Sequence, residues 1–178
     1  MGAGLGGGSS DAAFLLKALN RYFNLGINAE DLKAIALSIG SDCPFFIDCL
    51  PAYATGRGEK LKQVDPVLEG LHILLVNPGI GVSTKEAYMN CVPSASGVSL
   101  SDLIHYPVAE WKFHIFNDFE NTVFEKYPQI GIIKRVLYNH GALFSSMSGS
   151  GSTVYGIFAN KPAVPVILKD YVIYNGVL

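Results

Sequence analysis

The stretch Gly4-Leu5-Gly6-Gly7-Gly8-Ser9-Ser10-Asp11-Ala12-Ala13 decides how the rest of the chain is interpreted, because it joins a run of glycines directly to a helical pattern. Apolar residues at 12, 15, 16 and 19 recur at the spacing of one helix face. Ser9, Ser10 and Asp11 are residue types typical of a helix N-cap or first turn. The sequence therefore predicts a loop over residues 4–10 and a helix that begins near Ser10 and reaches about Phe23.

A glycine loop that leads into a helix is suited to binding phosphate. Glycines lack a Cβ, so successive backbone N–H groups can surround an anion, and the helix adds the positive end of its dipole. The hydroxyls of Ser9 and Ser10 could also donate to phosphate or help to hold Mg²⁺. The alternative is a flexible Gly/Ser linker, but a linker need not be fused to a capped amphipathic helix. The spelling matches neither G-x-x-x-x-G-K-[ST] nor a G-x-G-x-x-G in a βαβ frame.

Next along the chain comes a second helix, capped by Asn28 and ended by Gly40, which is followed by Ser41-Asp42-Cys43-Pro44-Phe45-Phe46-Ile47. The carboxylate of Asp42 has two interpretations. It could cap the short turn before Pro44, which the residues alone favour. It could instead accept the proton of a reacting hydroxyl.

The second half of the chain contains a second loop of glycine and serine, Ser148-Gly149-Ser150-Gly151-Ser152. It lies between two predicted strands, so from the residues alone it is best interpreted as a hairpin turn. We place the domain division near residues 68–80, which gives domains 1–70 and 71–178. The remaining predicted elements are strands at 53–59 (with a turn), 71–76, 143–147, 153–158 and 172–174, and helices at 83–88, 100–104, 108–111 and 128–139.

Composition excludes several classes of function. The net charge is −2 and no basic patch of the kind needed to bind nucleic acid occurs. The apolar run from Ile73 to Val76 has the length of a buried strand, far short of a membrane span. The three cysteines form no C-x-x-C pair, which favours a reduced, cytoplasmic setting. The four histidines stand at spacings that make no metal template.

Several motifs together resemble the GHMP kinase superfamily, and most closely its branch that phosphorylates 4-diphosphocytidyl-2-C-methyl-D-erythritol. The glycine stretch is similar to the phosphate-binding motif of these kinases, including the extra glycine and the Asp before Ala-Ala. Gly40–Phe46 resembles their Gly-Ala-Asp-Val-Pro-Phe-Phe element, and Gly56–Glu59 their Gly-x-Gly-Glu. Met147–Ser152 resembles the third motif, and Asn117-Asp118-Phe119-Glu120 also has a counterpart. The matches run in order from residue 2 to about 160.

The resemblance implies an α+β fold made of the remaining part of a ribosomal-protein-S5-domain-2-like unit and a ferredoxin-like C-terminal domain. It implies ATP and Mg²⁺ as cofactors and transfer of phosphate to the 2-hydroxyl of the acceptor, in isoprenoid precursor synthesis. Asp42 would be the base or orienting group, and Tyr88 would stack on cytosine unless it is a core tyrosine. Gly149, Ser150 and Gly151 would contact the acceptor. ATP would be bound by Gly2, Ala3, Gly4, Leu5, Gly6, Gly7, Gly8, Ser9 and Ser10, with the two serines near Mg²⁺.

Family members begin well before the glycine loop, with a stretch that carries strands and a catalytic lysine. We therefore expect this chain to be part of a longer kinase and to be inactive, or nearly so, alone. We also expect the helices at 12–23 and 29–39 to expose an apolar face, which would be covered by another copy of the chain, by a rearranged segment, or by the N-terminal part of the kinase present as another chain. The residues expected on that face are Leu15, Leu16, Leu19, Leu32, Ile35 and Ile39.

Two alternatives stay open. The first is another GHMP kinase that acts on homoserine, mevalonate or a sugar, against which the Gly-Gly-Gly-Ser-Ser-Asp spelling and the Asp42-Cys43-Pro44 element speak. The second is a binding module that keeps the fold without catalysis.

Overall fold

The computed structural model describes residues 2–93 and 99–178. They divide into an N-terminal unit, Gly6–Pro66, and a C-terminal unit that combines Val67–Leu178 with the segment ending at Leu5. The boundary between the two units follows Pro66, four positions before the predicted boundary at residue 70. The observed division also places residues 2–5 in the C-terminal unit. Their backbone is hydrogen-bonded to that unit, since Thr153 N–H donates to Ala3 O over 3.1 Å.

The N-terminal unit consists of three helices and a hairpin. They are α1 (Gly7–Tyr22), α2 (Ala29–Ile39), α3 (Phe45–Asp48) and the antiparallel strands β1 (Ala52–Thr55) and β2 (Lys60–Gln63). Its small core is formed by Ala13, Leu32, Ala36, Cys43 and Ile47.

Helix α1 begins earlier than the sequence predicts. Gly6 is its N-cap, in the left-handed region with φ 63°, and no side chain of the described residues caps the helix. The amide of Ser10 already donates to Gly6 O over 2.9 Å, so Gly7, Gly8 and Ser9 form the first turn. The expected start near Ser10 was wrong because the serines suggested a side-chain cap, whereas the left-handed glycine turns the chain into the helix.

Helix α2 has the predicted bounds. The side chain of Asn28 accepts a hydrogen bond from Asp31 N–H over 3.0 Å, and Gly40 follows the last turn. Of the residues expected on an apolar surface, Leu15, Leu19, Ile35 and Ile39 are exposed and Leu16 is partly buried. The expectation that Leu32 is exposed was wrong, because only 7% of its surface is accessible and it packs in the core with Ala36 and Cys43.

The C-terminal unit is built on a four-stranded sheet. Its strands are β3 (His72–Val76), β4 (Phe144–Met147), β5 (Val154–Phe158) and β6 (Val172–Val177), in the order β4-β5-β3-β6 with every neighbouring pair antiparallel. Counted within the unit, this is the order second, third, first, fourth, which is that of a ferredoxin-like sheet. The predicted α+β class and ferredoxin-like domain are therefore confirmed.

Helices fill the connections of this sheet. They are α4 (Thr84–Asn90), α5 (Leu100–Leu103), α6 (Glu120–Lys126), α7 (Pro128–Asn139) and the 3₁₀ helices Val108–Phe113 and Val166–Tyr171. Side chains from α6 and α7 pack with those of β3, β4 and β5 in one core, whose fully buried members include Leu74, Ile130, Leu137 and Val154. The prediction missed α6. Throughout the described ranges, no helix combines the length and the apolar character needed to cross a membrane.

Candidate functional site

Two glycine-containing segments meet within the C-terminal unit. We call residues 2–5 the first glycine segment and residues 148–152 the second glycine loop. The Ser148 hydroxyl donates to Gly4 O over 2.7 Å. A Cβ at position 4 would lie 2.0 Å from Ser148 O, and Gly4 has φ +74°, so only glycine fits there. The resemblance suggested that these two motifs approach each other, and the sequence pattern alone favoured a hairpin turn.

The start of α1, in the N-terminal unit, is open to an anion. The first N–H groups of a helix have no partner within it, and here they belong to Gly7, Gly8 and Ser9. A Cβ at position 7 or 8 would meet none of the described residues within 4 Å, so there is open space beside this first turn. The first turn contains no acidic residue, so it presents no negative charge of its own against a phosphate.

Asp42 lies exposed in the turn before α3, and the hydrogen bond it accepts from the described residues comes from Ser41 Oγ over 3.4 Å. The N-cap of α3 is Pro44, and among the described residues no side chain, that of Asp42 included, caps this helix. Gly58, with φ +106°, makes room for the carboxylate, since a Cβ there would lie 2.6 Å from Asp42 Oδ1. The Gly56–Glu59 turn and Asp42 are therefore neighbours.

That turn is held by its own acidic residue. The Arg57 N–H donates to a Glu59 carboxylate oxygen over 2.6 Å. Hydrogen bonds from backbone N–H groups of the turn lower the pKa of Glu59. Glu59 is therefore a fixed carboxylate at neutral pH, while Asp42 faces solvent.

An open cavity of about 550 Å³ lies in the C-terminal unit, with Tyr88, Phe116, Asn117, Ser146, Gly149 and Tyr155 among its lining residues. Tyr88 is 67% exposed, and its ring contacts Phe119 edge-on with centroids 4.9 Å apart. Tyr88 is thus not a core tyrosine, and its ring is accessible to a planar ligand.

The predicted acceptor residues of the second glycine loop do not share one environment. Gly149 is exposed and lines the cavity with Tyr88. Ser150 is buried with its Oγ 3.2 Å from Thr84 Oγ1. Gly151 is buried as well, and a Cβ there would lie 2.6 Å from Met147 Sδ. The structure therefore brings Tyr88 and Gly149 together and gives Ser150 and Gly151 packing contacts.

The phenol of Tyr155 forms part of the cavity wall and stays neutral over the physiological range. Burial, with a smaller contribution from the charge of Glu120, raises the pKa of Tyr155 to about 12. Burial also raises the pKa of Tyr138, whose hydroxyl donates to Ser145 O over 3.1 Å. Neither tyrosine is suited to act as a base near neutral pH.

Asn117 and Glu120 belong to a segment that has a counterpart in GHMP kinases, but the sequence predicted no role for either residue. Asn117 Nδ2 donates to Met147 O and to Gly149 O, each over 2.8 Å. The buried Glu120 carboxylate accepts from Met147 N–H over 2.8 Å and from Ser146 Oγ over 3.0 Å, and it pairs with Lys134 at 2.5 Å. Both residues hold the end of β4 that leads into the second glycine loop.

Family models match both parts of the chain. The model described as GHMP kinases N terminal domain matches residues 1–49, and the one described as GHMP kinases C terminal matches residues 109–171.

Curated relatives named 4-diphosphocytidyl-2-C-methyl-D-erythritol kinase match nearly the whole chain. One from Parabacteroides distasonis is 51% identical over 90% of this chain and 59% of its own length. One from Azobacteroides pseudotrichonymphae is 48% identical over 98% of this chain and 66% of its own length. The chain therefore spans less than two thirds of these relatives.

A solved structure agrees with these relatives. The crystal structure of a 4-(cytidine 5'-diphospho)-2C-methyl-D-erythritol kinase superposes with a TM-score of 0.72 at 32% identity, covering 88% of this chain and 57% of that one.

Proposed function

Because the chain belongs to the GHMP kinase family, we propose that it is part of an enzyme that transfers a phosphoryl group from ATP to the 2-hydroxyl of 4-diphosphocytidyl-2-C-methyl-D-erythritol, in isoprenoid precursor biosynthesis. The observation that carries this proposal is the near-complete match of the chain to relatives that bear the name of this kinase. The site geometry supports it, since the glycine segments, Asp42 and the aromatic cavity each suit a part of that reaction.

Asp42 takes the chemical role in this proposal. Its carboxylate is exposed and free of a capping contact, so it can accept the proton of the acceptor hydroxyl as that oxygen attacks the phosphorus. Tyr88 would stack on the cytosine ring from the cavity wall, and Gly149 would let the acceptor approach the backbone closely.

Residues 2–10 would bind the phosphates of ATP. The N–H groups of Gly7, Gly8 and Ser9 are the donors that the helix start leaves unused. Mg²⁺ in phosphoryl transfer is usually bound by one or two protein oxygens together with phosphate oxygens. The hydroxyls of Ser9 and Ser10, at this helix start, are of the right chemical type to supply such an oxygen.

The three cysteines, Cys43, Cys49 and Cys91, are all free thiols. This agrees with function in a reducing compartment, and we infer a cytoplasmic location.

A substrate panel tests the proposed function. The full-length protein that contains this chain is incubated with Mg-ATP and one of four acceptors: 4-diphosphocytidyl-2-C-methyl-D-erythritol, homoserine, mevalonate or galactose. We expect ADP release with the first acceptor and a product phosphorylated at its 2-hydroxyl, measured by mass spectrometry and ³¹P NMR. Preferential turnover of another acceptor would replace the proposed substrate, and absence of ATP turnover with all four would favour a binding module.

A further inference from the structure

The side chain of Asn117 bonds to the backbone on both sides of Ser148. Its amide nitrogen donates one hydrogen to Met147 O and the other to Gly149 O, both over 2.8 Å. Its oxygen accepts from Phe119 N–H over 3.0 Å. Both N–H hydrogens and the oxygen of the side chain are therefore engaged, which fixes the amide orientation and, through it, the path of the loop.

Ser148 transmits this placement to the first glycine segment. Its hydroxyl donates to Gly4 O over 2.7 Å, and Thr153 N–H donates to Ala3 O over 3.1 Å. The two backbones touch: a Cβ at position 4 would lie 2.0 Å from Ser148 O and 3.0 Å from Gly151 O. With so little space, a displacement of the second glycine loop must displace Gly4.

We propose that Asn117 is a positioning residue for phosphate binding, and that it sets the conformation of the first glycine segment by holding the second glycine loop. This inference rests on the proposed function, in which residues 2–10 bind the phosphates of ATP. Asn117 itself need not touch ATP, because Gly4 is the residue it places, through Ser148. Small displacements of groups that position a reactant can lower a rate by about 100-fold, so a remote amide can matter for turnover.

The test uses Asn117→Asp, which keeps the shape and the acceptor for Phe119 N–H but replaces both donors by a carboxylate oxygen facing two carbonyls. Loss of donor bonds of this kind should raise the KM for ATP by about tenfold and lower kcat by a similar factor. The KM for the acceptor should change little. Asn160→Asp, at an exposed position of the same unit, is the matched control for the added charge.

The split between KM and kcat separates positioning from mere stability. A purely structural role reduces the folded fraction, which lowers kcat and leaves the KM for ATP unchanged. Ser148→Ala, which keeps the Asn117 bonds but removes the hydroxyl that reaches Gly4, should raise the KM for ATP in the same way. The double variant Asn117→Asp/Ser148→Ala should raise the KM for ATP little more than either single variant, because both changes break the same connection between Asn117 and Gly4.

Two outcomes are decisive, and they differ from a failure of the proposed function. If the wild-type protein turns over ATP and Asn117→Asp leaves the KM for ATP unchanged, the positioning role is wrong while the kinase assignment stands. Additive effects in the double variant would also overturn it. If the wild-type protein has no ATP turnover with any acceptor, the proposed function itself fails, and the role of Asn117 in phosphate binding fails with it.

Discussion

At the scale of single residues, the role of Asp42 depends on a carboxylate that is exposed and does not cap α3. Asp42→Asn removes the proton acceptor with almost no change of volume. In the full-length enzyme we expect kcat to fall by roughly 10²–10⁴-fold, the range of general-base contributions, with little change in the KM for ATP. Steady-state kinetics measure both. Asp65→Asn, an exposed position in the same unit, controls for the loss of a charge, and a near-normal kcat in Asp42→Asn would remove Asp42 from the mechanism.

Tyr155 gives a prediction about pH. Burial raises its pKa to about 12 in the folded protein, against about 10 in the unfolded chain. The folded state therefore keeps the phenolic proton where the unfolded state loses it. The stability that this provides is fully present below pH 10 and is lost as pH rises toward 12, a change of roughly 2–3 kcal/mol in the free energy of unfolding.

Denaturant unfolding at several alkaline pH values measures this loss. Tyr155→Phe should make the free energy of unfolding less dependent on pH between 10 and 12 and should remove the last tyrosinate step from the absorbance titration. Tyr22→Phe is the control, because Tyr22 is 79% exposed. A wild-type titration in which every tyrosine ionises near pH 10 would contradict the burial of Tyr155.

At the scale of elements, Glu120 joins the start of α6 to the end of β4. Its buried carboxylate accepts hydrogen bonds from Met147 N–H and Ser146 Oγ and pairs with Lys134 of α7. Glu120→Ala leaves these donors and the partly buried ammonium without a partner, so we expect a loss of about 3 kcal/mol in the free energy of unfolding. Urea denaturation measures it. Glu125→Ala, at an exposed position of the same helix, should change stability by less than about 0.5 kcal/mol.

The elements that could be predicted from the sequence are those with local start and stop signals. Helix α2 has a capping Asn28 and a terminal Gly40, and α7 opens with Pro128, so both were predicted with the observed bounds. The start of α1 was missed because it depends on the left-handed backbone conformation of Gly6. No capping side chain in the sequence indicates that conformation. Helix α6 was missed because its first residue, Glu120, is buried by partners distant in sequence.

The residues of the candidate site also fall into two groups, those whose roles could be predicted from the sequence and those whose roles could not. The resemblance to GHMP kinases supplied the roles of Asp42 and Tyr88, since the residues alone favoured a cap at Asp42. Phosphate binding by the glycine stretch could be predicted from the residues themselves. The roles of Asn117 and Ser148 could not, because both act through contacts with distant backbone atoms. Periodicity and capping rules describe neighbours in sequence, and such contacts lie outside their reach.

At the scale of the whole molecule, α1 exposes a row of large apolar side chains. Phe14, Leu15, Leu19 and Tyr22 of α1, together with Phe23 at its C-cap, are between 41% and 79% exposed. Each such side chain forgoes roughly 1.5–3 kcal/mol by staying in water, so we predict that this chain self-associates through α1. Sedimentation velocity should show species larger than a monomer at micromolar concentration.

A charged double variant tests this surface. Leu15→Glu combined with Leu19→Glu should restore a monomer, whereas Val166→Glu, at an exposed apolar position of the C-terminal unit, should not. A wild-type chain that sediments as a folded monomer would contradict the prediction.

The contact between Gly4 and Ser148 also sets the earliest point during synthesis at which the fold of the C-terminal unit can be completed. The two residues are 144 positions apart. At about 5–20 residues per second, a ribosome needs roughly 7–30 s to make the intervening polypeptide. Gly6–Pro66 can collapse early on short-range contacts, whereas Gly4 must wait for its partner to emerge from the exit tunnel. The first glycine segment is thus translated roughly 7–30 s before the loop that holds it, and during that interval its backbone amides are open to chaperones and proteases.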